Sequence, residues 1–251
     1  MNLPLPNPEL ATSLGRRAFL RRSGLAAFTA ALGPVLANTL FNPTEAQAAS
    51  FSDEDILNFA LNLEYLEGEY YAKAAFGANL AGLGVDIGGS AAGSTISPTG
   101  LGGGGGVGFG SQIIKEYAIE IAEDEIAHIN FLRKTLGSAA VPKPAIDLQD
   151  AFVTTARMLG ISNDFNAYAS DANFLIGAIT LTDVGVTAYH GSAAFLNDKT
   201  NLAAAGGILA AESYHDATLR TSLYGLNYGT DGSLAQQLNL ISQLRDSLDG
   251  P

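Results

Sequence analysis

From residue 53 onward, apolar side chains recur every three or four positions, the period of a helix with one face turned inward. The pattern predicts helices over about 53–76, 112–136, 148–159, 167–196, 200–224 and 233–247. Ser52 followed by Asp53, Glu54 and Asp55 reads as a helix start, a capping hydroxyl with acids against the positive end of the helix dipole. Gly137 and the Pro142-Lys143-Pro144 turn stop the second helix, and Asp147 is placed to cap the short one after it. No long stretch alternates with period two, so the expected class is all-α. Four long helices, a short one between the second and third, and a tail helix remain. The connection holding the short helix runs to about 30 residues, enough to cross a bundle from one end to the other.

Residues 77–112 break the pattern. They are rich in Gly, Ser and Ala, with Gly102 to Gly106 consecutive. Five glycines can cradle a phosphate, but no G-K-[ST] follows and no strand precedes, which excludes a P-loop. The expectation is a mobile surface insertion within a domain spanning 49–251.

The first 48 residues read as an address. Arg16 and Arg17, followed by Phe19-Leu20 and Arg21, precede an apolar run from Leu25 to Leu40 that ends near Ala46-Gln47-Ala48. A basic stretch, an apolar stretch and a small-residue cleavage site make a secretory signal, and the paired arginines resemble the bacterial twin-arginine type. Pro34 inside the run and the cleavage pattern argue against an uncleaved anchor. The expected location is periplasmic or secreted, with no stable membrane span in the mature chain.

Composition narrows the chemistry. Apolar residues make up 47% of the chain, enough for a packed core, so global disorder is excluded. The formal net charge is −12, and cleavage would remove four arginines against two glutamates, leaving the remainder more acidic. Such a field repels nucleic acid and draws in cations. With no cysteine, thiolate sites and disulfides are impossible, and any metal must be held by oxygen and imidazole.

Two of the three histidines follow a glutamate by three residues, in Glu125-Ile126-Ala127-His128 and Glu212-Ser213-Tyr214-His215. On a helix, positions i and i+3 share a face, so each pair can grip a metal together. Both pairs interrupt apolar stripes. Ile114, Ala118, Ile121, Glu125, His128 and Leu132 form one; Ile208, Glu212, His215 and Leu219 form the other. In the first helix Glu64 stands on a third such stripe with Leu57, Ala60, Glu67, Tyr71 and Ala75. A carboxylate buried without a partner costs several kcal/mol, and coordination to a metal is one way to offset that cost. Glu67 is read as solvated or salt-bridged, though its register lets it compete as a ligand. Glu116, Glu120 and Glu123 are read as solvated, and His190 as lying at the surface or beside the site.

Glu64, Glu125-x-x-His128 and Glu212-x-x-His215, in that order on three helices, resemble the ferritin-like di-iron or di-manganese proteins. Asn62-Leu63-Glu64 with Tyr71 is similar to the first helix of bacterioferritins and rubrerythrins. Leu63-Glu64-Tyr65-Leu66-Glu67, Asp183-Val184-Gly185-Val186-Thr187-Ala188-Tyr189 and Gln243-Leu244-Arg245-Asp246 resemble the group that includes desiccation-related proteins. The resemblance covers residues 53–248. It implies a ferritin-like four-helix bundle with a long crossover between helices two and three. Two iron or manganese ions would lie between Glu64, Glu125, His128, Glu212 and His215, with Tyr71 and Tyr189 beside them. It further implies redox chemistry with dioxygen or peroxide, or, as the alternative, a non-catalytic stress protein on the same scaffold. Relatives of this kind show Glu-Asp-Val-Gly on the third helix, where this chain has Thr182-Asp183-Val184-Gly185. Three arrangements are compatible with that: Asp183 substitutes as ligand, the site is asymmetric with a water in the gap, or metal binding is weakened or lost. The insertion would crowd the faces needed for a 24-subunit shell, so a monomer or dimer is expected.

Overall fold

A computed structural model describes residues 51–249. The signal predicted over residues 1–48 lies outside the described residues. Six α-helices account for nearly all regular structure among them: α1 (Asp53–Phe76), α2 (Gln112–Leu136), α3 (Leu148–Met158), α4 (Asp171–Ala193), α5 (Lys199–Asn227) and α6 (Ser233–Asp249). The predicted all-α bundle is found, with the helices in the expected order and, apart from the start of α4, close to their expected bounds.

Local chemistry sets the ends. Ser52 accepts from the Asp55 amide while the Asp55 carboxylate takes the Ser52 amide, a reciprocal cap at the start of α1. Gly77, at φ 67°, ends it in the left-handed conformation that lacks a Cβ penalty. Asp147 and Asp198 cap α3 and α5 by accepting from two amides each. The third long helix starts later than its periodicity suggests. Asn166 folds the chain back on itself through the Tyr168 amide, and Ser170 then caps α4.

Contacts along the helices fix their directions. Asn58 meets Ala139 while Glu64 meets His128, so α1 and α2 are antiparallel. Glu64 meets Tyr189 and Tyr70 meets Phe174, so α1 and α4 are antiparallel. Arg220 meets Asp183 while Glu212 lies near Gly185, so α4 and α5 are too. Hence α2 and α4 run the same way, and the chain between them must travel the bundle's length. Residues 137–170, with α3, make that crossing. The tail helix α6 packs on α4 and α5.

Helix α1 is buried on every side from Phe59 to Ala72. Helix α4 is the one described helix long and apolar enough to cross a membrane, and it lies mostly buried within the bundle. An all-round apolar surface is what a central core helix requires.

The 77–111 connection, expected to be loose, is packed tightly against α1. A Cβ on Gly77 would lie 2.0 Å from the Gly103 carbonyl oxygen, and the Val107 amide donates to the Ala74 carbonyl at 3.1 Å. Leu80 is fully buried. Two residues, Thr95–Ile96 (β1), pair in parallel with Ile146–Asp147 (β2) and tie this connection to the crossover. Beneath them Lys143, 2% exposed, reaches Thr95 Oγ1 at 2.8 Å and Glu69 Oε1 at 3.4 Å.

Candidate metal centre

The antiparallel pairs bring Glu64 from α1, Glu125 and His128 from α2, and Glu212 and His215 from α5 to one level of the core. Ligand-capable atoms of Glu64, Glu125, His128 and Glu212 all lie within 4.8 Å of one another. The three carboxylates are inaccessible to solvent, and of the two imidazoles only His128 reaches it, at 13%.

Both imidazoles turn Nδ1 toward the carboxylates. His128 Nδ1 stands 3.1 Å from Glu64 Oε2, 3.6 Å from Glu125 Oε2 and 3.4 Å from Glu212 Oε1. His215 Nδ1 stands 3.4 Å from Glu125 Oε1 and 3.9 Å from Glu212 Oε2. Glu125 and Glu212 therefore each offer one oxygen to one histidine and the other oxygen to the other. None of those four oxygens has a hydrogen-bond donor, and neither has His215 Nδ1. Buried polar atoms are almost always paired, so orphans converging on one point mark a site shaped for a cation.

Neighbouring groups hold the set in place. His215 Nε2 is 3.0 Å from Asp124 Oδ2, an arrangement that fixes ring orientation and leaves Nδ1 free to bind. The Tyr189 hydroxyl donates to Glu64 Oε1. The Tyr71 hydroxyl lies 2.9 Å from Thr182 Oγ1, and both side chains are fully buried.

Charge is concentrated here without enough counter-charge. Burial opposes a charged His128, yet Glu125, Glu212 and Glu64 outweigh it and raise its pKa. Burial raises Glu125 well above the usual carboxylate range, with the Glu64 charge adding to it. Burial and then Glu125 push Glu212 up to about 8. Glu64 goes the other way because His128 overcomes its burial. One imidazolium offsets one carboxylate, while burial and mutual repulsion favour the neutral form of Glu125 and Glu212.

Residues 52–225 match the ferritin-like domain family, which is most of the chain. The chain belongs to that family. Desiccation-related protein PCC13-62 of Craterostigma plantagineum is 31% identical to this ferritin-like chain over 208 residues, 78% of the chain and 62% of the relative. Ferritin-like catalase Nec2 of Nesocodon mauritianus is 25% identical over 183 residues, 69% of the chain and 54% of the relative. The chain thus spans less than two thirds of either relative's length. No solved structure matches it.

Not every predicted side chain joins the cluster. Asp183, a ligand in one of the three arrangements open for α4, faces the other way. Its Oδ1 takes Arg245 Nη1 at 2.9 Å and its Oδ2 meets Arg220, so it is an anchor for α6. The cause is rotational: one residue along a helix turns the side chain by about 100°. Thr182, one step back, is the residue that faces inward. His190, Glu116, Glu120 and Glu123 are exposed as expected.

Two residues were missed or underweighted. Asp124 immediately precedes Glu125, and only the α2–α5 packing reveals it beside His215. Glu67, read as solvated, is 1% exposed at the edge of the cluster, and neither of its oxygens has a hydrogen-bond partner. Burial raises its pKa well above the usual range, with Glu212, Glu125 and Glu64 adding to the shift and the nearby Thr182 hydroxyl opposing it. Its signal was present in Glu64-x-x-Glu67, the same i,i+3 spacing as the two Glu–His pairs.

Proposed function

We propose that this chain is an exported ferritin-like di-metal protein that holds iron or manganese between Glu64, Glu125, His128, Glu212 and His215 and acts on dioxygen or peroxide in the cell envelope. The observation that carries the reading is the double facing of Glu125 and Glu212 toward both imidazoles. Two carboxylates so placed fit a bridging role, and each histidine fits as an end ligand. The donor set is all oxygen and imidazole nitrogen, which suits iron and manganese. Bound, such ions would supply redox electrons and a coordination position for a small oxidant. The protein's own part is to exclude bulk water through complete burial of the carboxylates, and to keep a proton on Tyr189 for Glu64. Through Asp124 it also holds His215 in one tautomer. Similarity to a ferritin-like catalase supports peroxide as the oxidant.

A second reading has its own support. Thr182, paired with the Tyr71 hydroxyl, stands where the family resemblance implies a glutamate, and another relative is a desiccation-related protein. A scaffold with a weakened site and a structural stress role follows from those two facts.

One experiment separates them: metal per chain by elemental analysis, with peroxide turnover, for the wild type beside Glu125→Ala/His215→Ala. Near two iron or manganese per chain, lost in the variant together with turnover, is the expected result. No metal in either, with unchanged melting, would leave the structural reading.

A further inference from the structure

Helix α1 carries three buried glutamates, and two of them have partners. Glu64 has the Tyr189 hydroxyl and His128. Glu69 has Lys143 and the Leu80 amide. Glu67, between them, has no hydrogen-bond partner for either oxygen. The Tyr71 and Thr182 hydroxyls pair with each other, and Thr182 lies close enough to Glu67 to oppose part of the rise in its pKa.

The space around Glu67 is made by α4. A Cβ on Gly185 would lie 3.0 Å from Glu67 Oε2 and 3.5 Å from Glu212 Oε2, so one missing methyl group lets both carboxylates approach the same spot. Thr182, one turn earlier on the same face, is short and neutral. Where α4 could have projected a glutamate into the core, it offers a hydroxyl and a hydrogen atom, and a carboxylate from α1 fills the room. Isolated burial of that group costs several kcal/mol by the usual scale, and a cation shared with Glu212 offsets it.

We propose that Glu67 is a metal ligand, the carboxylate that α1 contributes in place of the one absent from α4. The inference rests on the di-metal reading above and extends it. The site then draws two carboxylates from α1, one Glu–His pair from α2, one from α5, and none from α4. The absence of a glutamate at Thr182 is then a relocation of the ligand, and the capacity for a second ion is kept.

The test uses the full-length chain, stripped with chelator and reloaded anaerobically with Mn(II) alone. Stoichiometry and affinity are read by equilibrium dialysis against a competing chelator. Wild type, Glu67→Gln, Glu125→Ala/His215→Ala and the exposed control Glu116→Gln are compared. Glu67→Gln preserves shape and replaces the ionisable carboxylate, a strong metal ligand, with a neutral amide. The expected result is one Mn(II) lost, or held roughly tenfold or more weakly, with metal-free melting unchanged and Glu116→Gln like wild type. Full stoichiometry and affinity in Glu67→Gln, while Glu125→Ala/His215→Ala loses its metal, would overturn the role of Glu67 and leave the di-metal reading standing. No Mn(II) in the wild type would sink both. If Glu67→Gln does not fold, anomalous diffraction from the Mn(II)-loaded wild type decides the matter. A Glu67 oxygen within bonding distance of an ion supports the assignment, and ions bound without it refute the assignment.

Discussion

Asp124 shows how a single side chain outside the cluster can set its properties. It is half-exposed, yet it is the partner of the fully buried His215 Nε2. Asp124→Asn keeps the shape and removes the acceptor charge. Metal affinity is expected to fall about 10–100-fold in chelator competition, with metal-free melting nearly unchanged. Protonation gives a second prediction. The folded value of Glu212, about 8, stands above the ordinary 4.5. The stability gained by keeping it neutral is fully present below pH 4.5 and is lost as pH rises through about 8. Melting of the stripped protein should therefore decline between about pH 5 and pH 9, and less so in Glu212→Gln. The metal-loaded protein should show the opposite trend, because its ligands must lose protons to bind. At this scale, the positions of Glu64, Glu125, His128, Glu212 and His215 were legible, since each charge interrupts an apolar stripe. Glu67 was not, because an acidic residue one turn from another reads equally well as a solvated face. Only the burial of α1 on all sides decides between the two.

Among the elements, α6 has the most to say about Asp183. Arg245 from α6 and Arg220 from α5 converge on that buried carboxylate, and Arg220 also holds Asp216 at 2.7 Å. Removing one member of a buried ionic group strands the others. Asp183→Asn should cost roughly 3 kcal/mol of stability, seen in chemical denaturation, while metal per chain stays at the wild-type value. A drop in metal would instead return Asp183 to the ligand set. The helices themselves were legible from periodicity and caps, down to Ser52, Asp147 and the stop at Gly137. The glycine-rich connection was not. A run of glycines lowers the cost of disorder, which is why it reads as a linker. The same lack of Cβ lets Gly77 and Gly103 bring two backbones together, and nothing local in the sequence distinguishes those outcomes.

For the whole molecule, the order of helix directions could be anticipated from one long connection between α2 and α4. The tie between the two longest connections could not, since β1 and β2 are two residues each and about 50 positions apart, too short for a strand pattern to register. The three buried glutamates of α1 bear on how such a chain reaches its final state. Taken alone, α1 is an acidic segment whose single cation, Lys73, is outnumbered by its carboxylates. His128 lies on α2, Lys143 on the crossover and Tyr189 on α4, all distant in sequence. Neither Glu64 nor Glu69 can be dehydrated cheaply until its own remote partner has arrived. Assembly should therefore be late and cooperative, with loop closure preceding reward, and a fragment ending after α2 should stay open rather than form half a bundle.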